Sequence, residues 1–304
     1  MWNFAAKRML SAIPTLLLLV TLSFFMMHAA PGGPFDHERA LPPEVRAQVA
    51  AAYHLDEPAW KQFGRYLGGL ARGDLGPSYQ YPGFTVNEII AEGFPVSLQL
   101  GVLALLIALA LGIPSGIYAA LHQNRWLDHA LMGVSIAGVS IPTFVVAPLL
   151  ILVFAVNLGW LPAGGWTGVR TALLPALALA LPQVAYIARL LRGAMIEVLR
   201  QNYIRTARAK GLPERLVLLR HALKPALMPV LSYLGPAAAG LITGSVVVEQ
   251  IFGIPGLGRH FVLGALNRDY TVVMGVVVFY GALIILFNFV VDLLYGVLDP
   301  RVRP

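Results

Sequence analysis

Residues 93–124 read GFPVSLQLGVLALLIALALGIPSGIYAALHQN, a run of 32 positions without Asp, Glu, Lys or Arg. Hydrocarbon offers backbone amides and carbonyls no partner, so a chain that crosses it must bond to itself as a helix. About 20 apolar residues suffice to cross. Five further stretches also lack those four residue types, at 9–35, 129–169, 171–188, 225–248 and 270–291. The pattern predicts an all-α polytopic membrane protein with six transmembrane helices. Composition agrees: 12% of the 304 residues are charged and 58% are hydrophobic, against a usual charged share of about 25%. Mean hydropathy is +0.72.

The first run follows Lys7 and Arg8, as the apolar core of a signal peptide would, and Ala29-Ala30 has the look of a cleavage site. Its apolar part, from Met9 to about Ala30, exceeds the roughly 7–15 residues of such a core, and Pro31 follows directly. A retained helix is the expectation. Orientation follows from Lys and Arg. With both termini inside, segments 1–8, 122–130, 189–224 and 298–304 hold 14 basic residues, and outside segments 31–95, 158–171 and 250–270 hold 8. The favoured topology is N-in, C-in. The expected organisation is an N-terminus and first helix (1–30), an outer loop (31–95), and a five-helix core (96–304) containing cytoplasmic loop 189–224.

The outer loop is partly helical by expectation. Leu41-Pro42-Pro43-Glu44-Val45 has a proline and an acidic residue where a helix would begin. Glu57-Pro58 opens a second candidate, with Trp60, Phe63, Tyr66 and Leu67 at helical spacing. Gly73-Asp74-Leu75-Gly76-Pro77-Ser78 reads as a turn. Within the apolar runs, prolines at 14, 114, 142, 148, 175, 182, 229 and 236 are expected bend points. Ala237, Gly240 and Gly244 fit close helix packing. No run has a central acid or base, which disfavours an ion-coupled carrier. Glu249 and Asp292 lie near run ends. Glu249 is a weak candidate for the substrate pathway, and Asp292 with Tyr295 is expected to make a structural contact.

Catalytic signatures are missing. The sequence holds no phosphate-binding loop, HExxH, GxSxG or potassium-filter motif, no cysteine, and seven histidines without ligand spacing. No catalytic or metal site is expected, and no nucleic-acid partner.

Loop 189–224 has nine basic and two acidic residues. A positive-inside loop lying on anionic lipid explains the charge but not the pattern. Glu197 through Lys210 is helix-forming, with a stripe of Leu199, Tyr203 and Ala207 and cations on the other faces. Gly211 stops it in the left-handed cap position, and Pro213-Glu214 opens a second helix through Leu216, Leu219 and Leu223 to Pro225. Helix, glycine and helix form a rigid projection suited to another protein's groove.

The residues Arg205-Thr206-Ala207-Arg208-Ala209-Lys210-Gly211-Leu212, followed by Arg220-His221-Ala222-Leu223-Lys224-Pro225, resemble the signature loop of binding-protein-dependent ABC permeases. Ala207, Gly211 and Leu223 match that family's pattern. Arg205 replaces the usual Glu, Thr206 the first Ala and His221 the Ile, and Pro225 arrives one position late. These departures resemble the peptide and nickel branch. Phe94-Pro95-Val96-Ser97, Gly253-Ile254-Pro255-Gly256-Leu257-Gly258, Asn267-Arg268-Asp269-Tyr270 and Leu298-Asp299-Pro300-Arg301 resemble its oligopeptide permease B subunits, and the likeness covers nearly the whole chain.

The resemblance implies a multi-pass subunit of the bacterial inner membrane, paired with a second homologous permease. Two ABC ATPase subunits would bind below, holding the ATP and Mg, and an extracytoplasmic peptide-binding protein would deliver peptide. The ATPase-docking residues it implies are Tyr203, Arg205, Thr206, Ala207, Arg208, Ala209, Lys210, Gly211, Leu212, His221 and Leu223. A dipeptide or nickel permease of the same branch, and a secondary carrier or channel, remain as alternatives.

Overall fold

The structure, a computed structural model, describes residues 2–29, 48, 51, 53–243 and 246–298, with backbone alone for 2–9 and 292–298. The expected helix at Leu41–Val45, the packing role of Gly244, the Asp292–Tyr295 contact and the closing Asp299-Pro300-Arg301 lie outside what is described. The described residues are almost wholly helical, and their one β feature is an isolated bridge between Pro77 and Thr85.

Among the described residues, four helices are long and apolar enough to cross a membrane. They are α1 (Trp2–Ala29), α3 (Val86–Leu121), α6 (Val169–Leu199) and α12 (Tyr270–Leu298). Two bent pairs raise the number of candidate spans to six if each counts as one. The first joins α4 (Trp126–Ser140) to α5 (Thr143–Asn157) at 107°, and the second joins α8 (Glu214–Ala226) to α9 (Met228–Thr243) at 51°.

Run 129–169, expected as one span, is therefore two helices. The break falls at Ile141, whose ψ of 120° is extended, because the Pro142 ring disfavours helical geometry in the residue before it. The second bend sits at Leu227, between Pro225 and Pro229. Both bent segments also contain a wide helical turn with i→i+5 bonding, at Ile151–Asn157 and Val217–Ala222.

The chain divides into two compact units. One contains Leu98–Ile254 and residues from Leu286 onward, the other Trp2–Ser97 and Pro255–Ile285. In the first, α6 is the central element. Its buried residues include Leu174, Ala176, Ala178, Ala180, Ile187 and Leu191, and α4, α5 and α9 pack around it. Small side chains permit close approach: a Cβ at Gly116 would come within 2.7 Å of the Ala188 carbonyl oxygen.

The second unit holds α2 (Ala59–Leu70), expected from Glu57-Pro58 and found there. Phe63 of α2 packs on Phe24 and Phe25 of α1, with ring centroids 5.1 and 5.5 Å apart. The expected Gly73–Ser78 turn is also present, with Gly73 and Gly76 at φ +75° and +89°. It leads into a buried carboxylate. Asp269 accepts hydrogen bonds from Ser78 Oγ (2.5 Å), the amides of Tyr79 and Gln80, Thr271 Oγ1 and the amide of Val272. One side chain thus caps α12 and pins the 77–80 turn. A core of Val86, Ile89, Ile90, Leu257, Val272 and Val276 lies beside it, and Ser97 Oγ caps α11 (Leu257–Leu266) by accepting from the Leu257 amide at 2.9 Å.

Candidate functional site

The basic loop folds as expected in outline and differs in phase. Helix α6 ends at Leu199, a turn at Arg200–Gln201 follows, and α7 spans Asn202–Ala209. The continuous helix expected from Glu197 to Lys210 is broken because Gln201 is extended, with ψ 149°. Its carbonyl then starts the new helix, accepting from the Ile204 amide at 3.1 Å and the Arg205 amide at 3.3 Å.

Restarting the helix rotates its face. Ile204 is fully buried and Ala207 nearly so, three residues apart, whereas Tyr203 is 48% exposed. The inward stripe is Ile204 and Ala207 instead of Leu199, Tyr203 and Ala207. That face packs on the Val217–Ala222 segment of α8, where Val217 and Ala222 are buried.

Gly211 ends α7 as expected, at φ +76°. The Leu212 amide donates to the Ala207 carbonyl at 3.4 Å and the Gly211 amide to the Arg208 carbonyl at 2.9 Å. These are the two bonds of a Schellman motif, which satisfies carbonyls left open at a helix end. Pro213 then starts α8, its carbonyl accepting from Leu216 at 2.8 Å.

Across this turn Arg208 grips Glu214 with two bonds, Nη2 to Oε1 at 2.6 Å and Nε to Oε2 at 3.1 Å. The bond to Glu214 raises the Arg208 pKa further, so the clamp keeps its charge across the working range. Both side chains are about half exposed, and such pairs contribute roughly 0–1 kcal/mol.

Of the remaining candidates, Arg205, Thr206, Ala209 and Lys210 are exposed, while Leu212, His221 and Leu223 are partly buried. The outward surface carries Tyr203, Arg205 and Lys210 together with exposed Leu216 and Leu219. Arg205, where the family pattern has Glu, belongs to this open surface. The arrangement is a short cationic and apolar knob on a stiff base.

An ion pair that sequence reading did not anticipate fixes that base. Asp128, fully buried in the first turn of α4, takes two bonds from Arg192 of α6, at 2.5 and 2.6 Å. Its Oδ2 also accepts from the Asn124 amide at 2.9 Å, and Asn124 is left-handed at φ +62°. The pair ties α4 to α6 two turns before α6 ends at Leu199. Glu249, in α10 (Val246–Phe252), is completely buried. Among the described residues no group of His, Cys, Asp and Glu is arranged to hold a metal ion.

Residues 112–304 match the family described as binding-protein-dependent transport system inner membrane component. The chain is 56% identical, over the full length of both, to the oligopeptide transport system permease proteins OppB of Salmonella typhimurium and Escherichia coli. It is 46% identical to the dipeptide transport system permease protein DppB of Bacillus subtilis, covering 98% of that protein. In fold it is similar to a chain from inward-facing structures of the MetNI methionine ABC transporter, with a TM-score of 0.60 over 69% of this chain and 96% of that one, at 19% identity. A multi-pass helical chain with this loop, matched along its whole length, belongs to the binding-protein-dependent transport system inner membrane component family and is a permease of the OppB type.

Proposed function

We propose that this chain is the membrane permease subunit of an ABC importer for oligopeptides, in a bacterial inner membrane. It crosses the membrane six times with both termini in the cytoplasm. A second homologous permease completes the pathway, and two ABC ATPase subunits bind ATP and Mg and hydrolyse the nucleotide, so this chain is not itself an enzyme. An extracytoplasmic binding protein delivers the peptide. The observation that carries the reading is loop 189–224, where a helix, a left-handed glycine and a second helix form one braced projection. Full-length similarity to OppB proteins supports the cargo, and the cytoplasmic excess of Lys and Arg supports the orientation.

In this reading α7 sits in a cleft of one ATPase, with Tyr203, Arg205, Thr206, Arg208, Ala209 and Lys210 toward it. Ala207, Gly211, Leu212, His221 and Leu223 shape the knob from within. ATP-driven closure of the ATPase pair moves the knob, and the Asp128–Arg192 pair passes that motion from α6 to α4. Segment 1–30 supplies the first span, 31–95 the outer segment that meets the binding protein, and 96–304 the five-span core. Glu249 is retained as a secondary candidate for the pathway.

The test is purification of the chain with its partners. Two ATPase chains are expected to co-purify, and reconstituted complex is expected to import tri-alanine only with ATP and the binding protein. Uptake by the permeases alone, driven by an ion gradient, would establish a secondary carrier.

A further inference from the structure

Thirteen of the 31 residues of α6 are buried, and one face opens in its second half. Along it lie Gln183, Tyr186, Arg189, Gly193 and Glu197, at spacings of three or four residues. Tyr186, Gly193 and Glu197 are exposed, and Gln183 and Arg189 partly so. The stripe runs about 21 Å, from mid-helix to the turn before α7.

Helix α9 stands beside it. Tyr233 stacks on Tyr186 with centroids 4.9 Å apart and planes 11° from parallel, and its hydroxyl donates to Gln183 Oε1 at 2.5 Å. The Arg189 guanidinium lies over the Tyr186 ring at 5.3 Å. Beyond Tyr233, the open positions of α9 are Pro236 and Gly240, and a Cβ added at Gly240 or at Gly193 would meet nothing within 4 Å.

Elsewhere the open faces of the candidate spans are largely apolar among the described residues, with scattered exceptions such as Gln99 and Tyr118 of α3. Val134 (72% exposed), Ile136 and Leu152 are among the apolar positions, as lipid contact requires. An amide and two phenols on spanning helices, with a guanidinium where α6 enters loop 189–224, face a protein interior or a water-filled cavity instead. We propose that Gln183, Tyr186 and Arg189 of α6, with Tyr233 of α9, line the transport pathway and bind the passing peptide.

This deepens the peptide-importer reading and rests on it for the cargo. Gln183 offers an amide donor to peptide carbonyls. The stacked tyrosines give a flat platform for side chains of any kind, which suits a carrier of varied sequences. Arg189, at the cytoplasmic end of the stripe where loop 189–224 begins, pairs with the peptide's terminal carboxylate. Pro236 and Gly240 leave room opposite.

The chain has no cysteine, so single cysteines report on access directly. In proteoliposomes holding the complete complex, Tyr186→Cys and Gly240→Cys are expected to react with a membrane-impermeant methanethiosulfonate roughly tenfold faster than Val134→Cys, as water-facing positions do. Tri-alanine presented with binding protein and ATP is expected to slow the reaction at Tyr186→Cys. Arg189→Gln is expected to raise KM for tri-alanine uptake roughly tenfold, the loss of one charge-assisted pair, and to leave uptake of tri-alanine amide unchanged.

Cysteines at 186 and 240 no more reactive than at 134 would overturn the proposal, since the face would then lie against lipid or the second permease. An equal loss for tri-alanine and its amide would refute the carboxylate role of Arg189. Reactive cysteines in the variants, together with a wild-type complex that imports no tri-alanine, would leave the lining intact and overturn the peptide cargo.

Discussion

Replacing Gly211 separates two ways the loop can fail. The residue holds φ +76°, where an L side chain costs about 1–2 kcal/mol. A Cβ there meets no atom within 4 Å, so within this chain the cost is purely conformational. Asn visits the left-handed region most readily, Ala less so, and a β-branched residue worst. The expected order of damage is Gly211→Asn, then Gly211→Ala, then Gly211→Val. A penalty of 1–2 kcal/mol shifts the balance between the native turn and its alternatives by about 5- to 30-fold. The two bonds that close the turn, from Leu212 to Ala207 and from Gly211 to Arg208, should open by the same factor. Hydrogen exchange at those amides reads the turn directly. ATP-dependent tri-alanine uptake per ATP hydrolysed reads coupling, and both should fall in the same order. Equal uptake by Gly211→Val and wild type would refute the reasoning. Equal damage from Asn and Val would also refute it, because the loss would then come from a clash with the partner and not from the backbone.

Three further predictions concern single contacts. Asp128→Asn strands the Arg192 guanidinium, and breaking a buried pair costs about 3 kcal/mol at the low end, suited to an arginine with 26% of its side chain exposed; a lower Tm for the purified complex checks this, and an unchanged Tm counts against the pair as a brace. Ser78→Ala removes a bond to a carboxylate worth about 1.5–3 kcal/mol, and faster exchange at the Gln80 and Tyr81 amides, which donate to the same hydroxyl, should accompany the loss. For Arg208 and Glu214, a double-mutant cycle to Ala should give a coupling of about 0–1 kcal/mol that fades with salt; a larger coupling, insensitive to salt, would mean that the pair is more shielded than its exposure indicates.

What the sequence disclosed depended on how local each signal was. Gly211, the helix after Pro58 and the four long apolar helices are marked by nearby residues, and all are found. The bend at Pro142 was expected from the proline itself, since a residue before proline avoids helical geometry, but its size, 107°, which parts run 129–169 into two helices, was not. The turn at Gln201 carries neither glycine nor proline, so nothing announced it, and the face of α7 was misjudged by one residue as a result. Asp128 with Arg192 is 64 residues apart, and no local pattern predicts such a pairing. The Gln183–Tyr186–Arg189 stripe has helical spacing but was not singled out from the sequence. Its meaning depended on knowing which face of α6 the other helices leave open.

The Asp269 cap has a consequence for how the protein is made. Ser78 and Asp269 are 191 residues apart in the chain. At about 5–20 residues per second of synthesis, the 77–80 turn waits roughly 10–40 seconds for its carboxylate. Until the start of α12 is translated, the Tyr79 and Gln80 amides lack the acceptor they finally use. The 77–80 turn is therefore among the first parts synthesised and among the last completed. A ribosome-stalled chain ending before Asp269 should leave the turn open to protease, and one extended through α12 should close it.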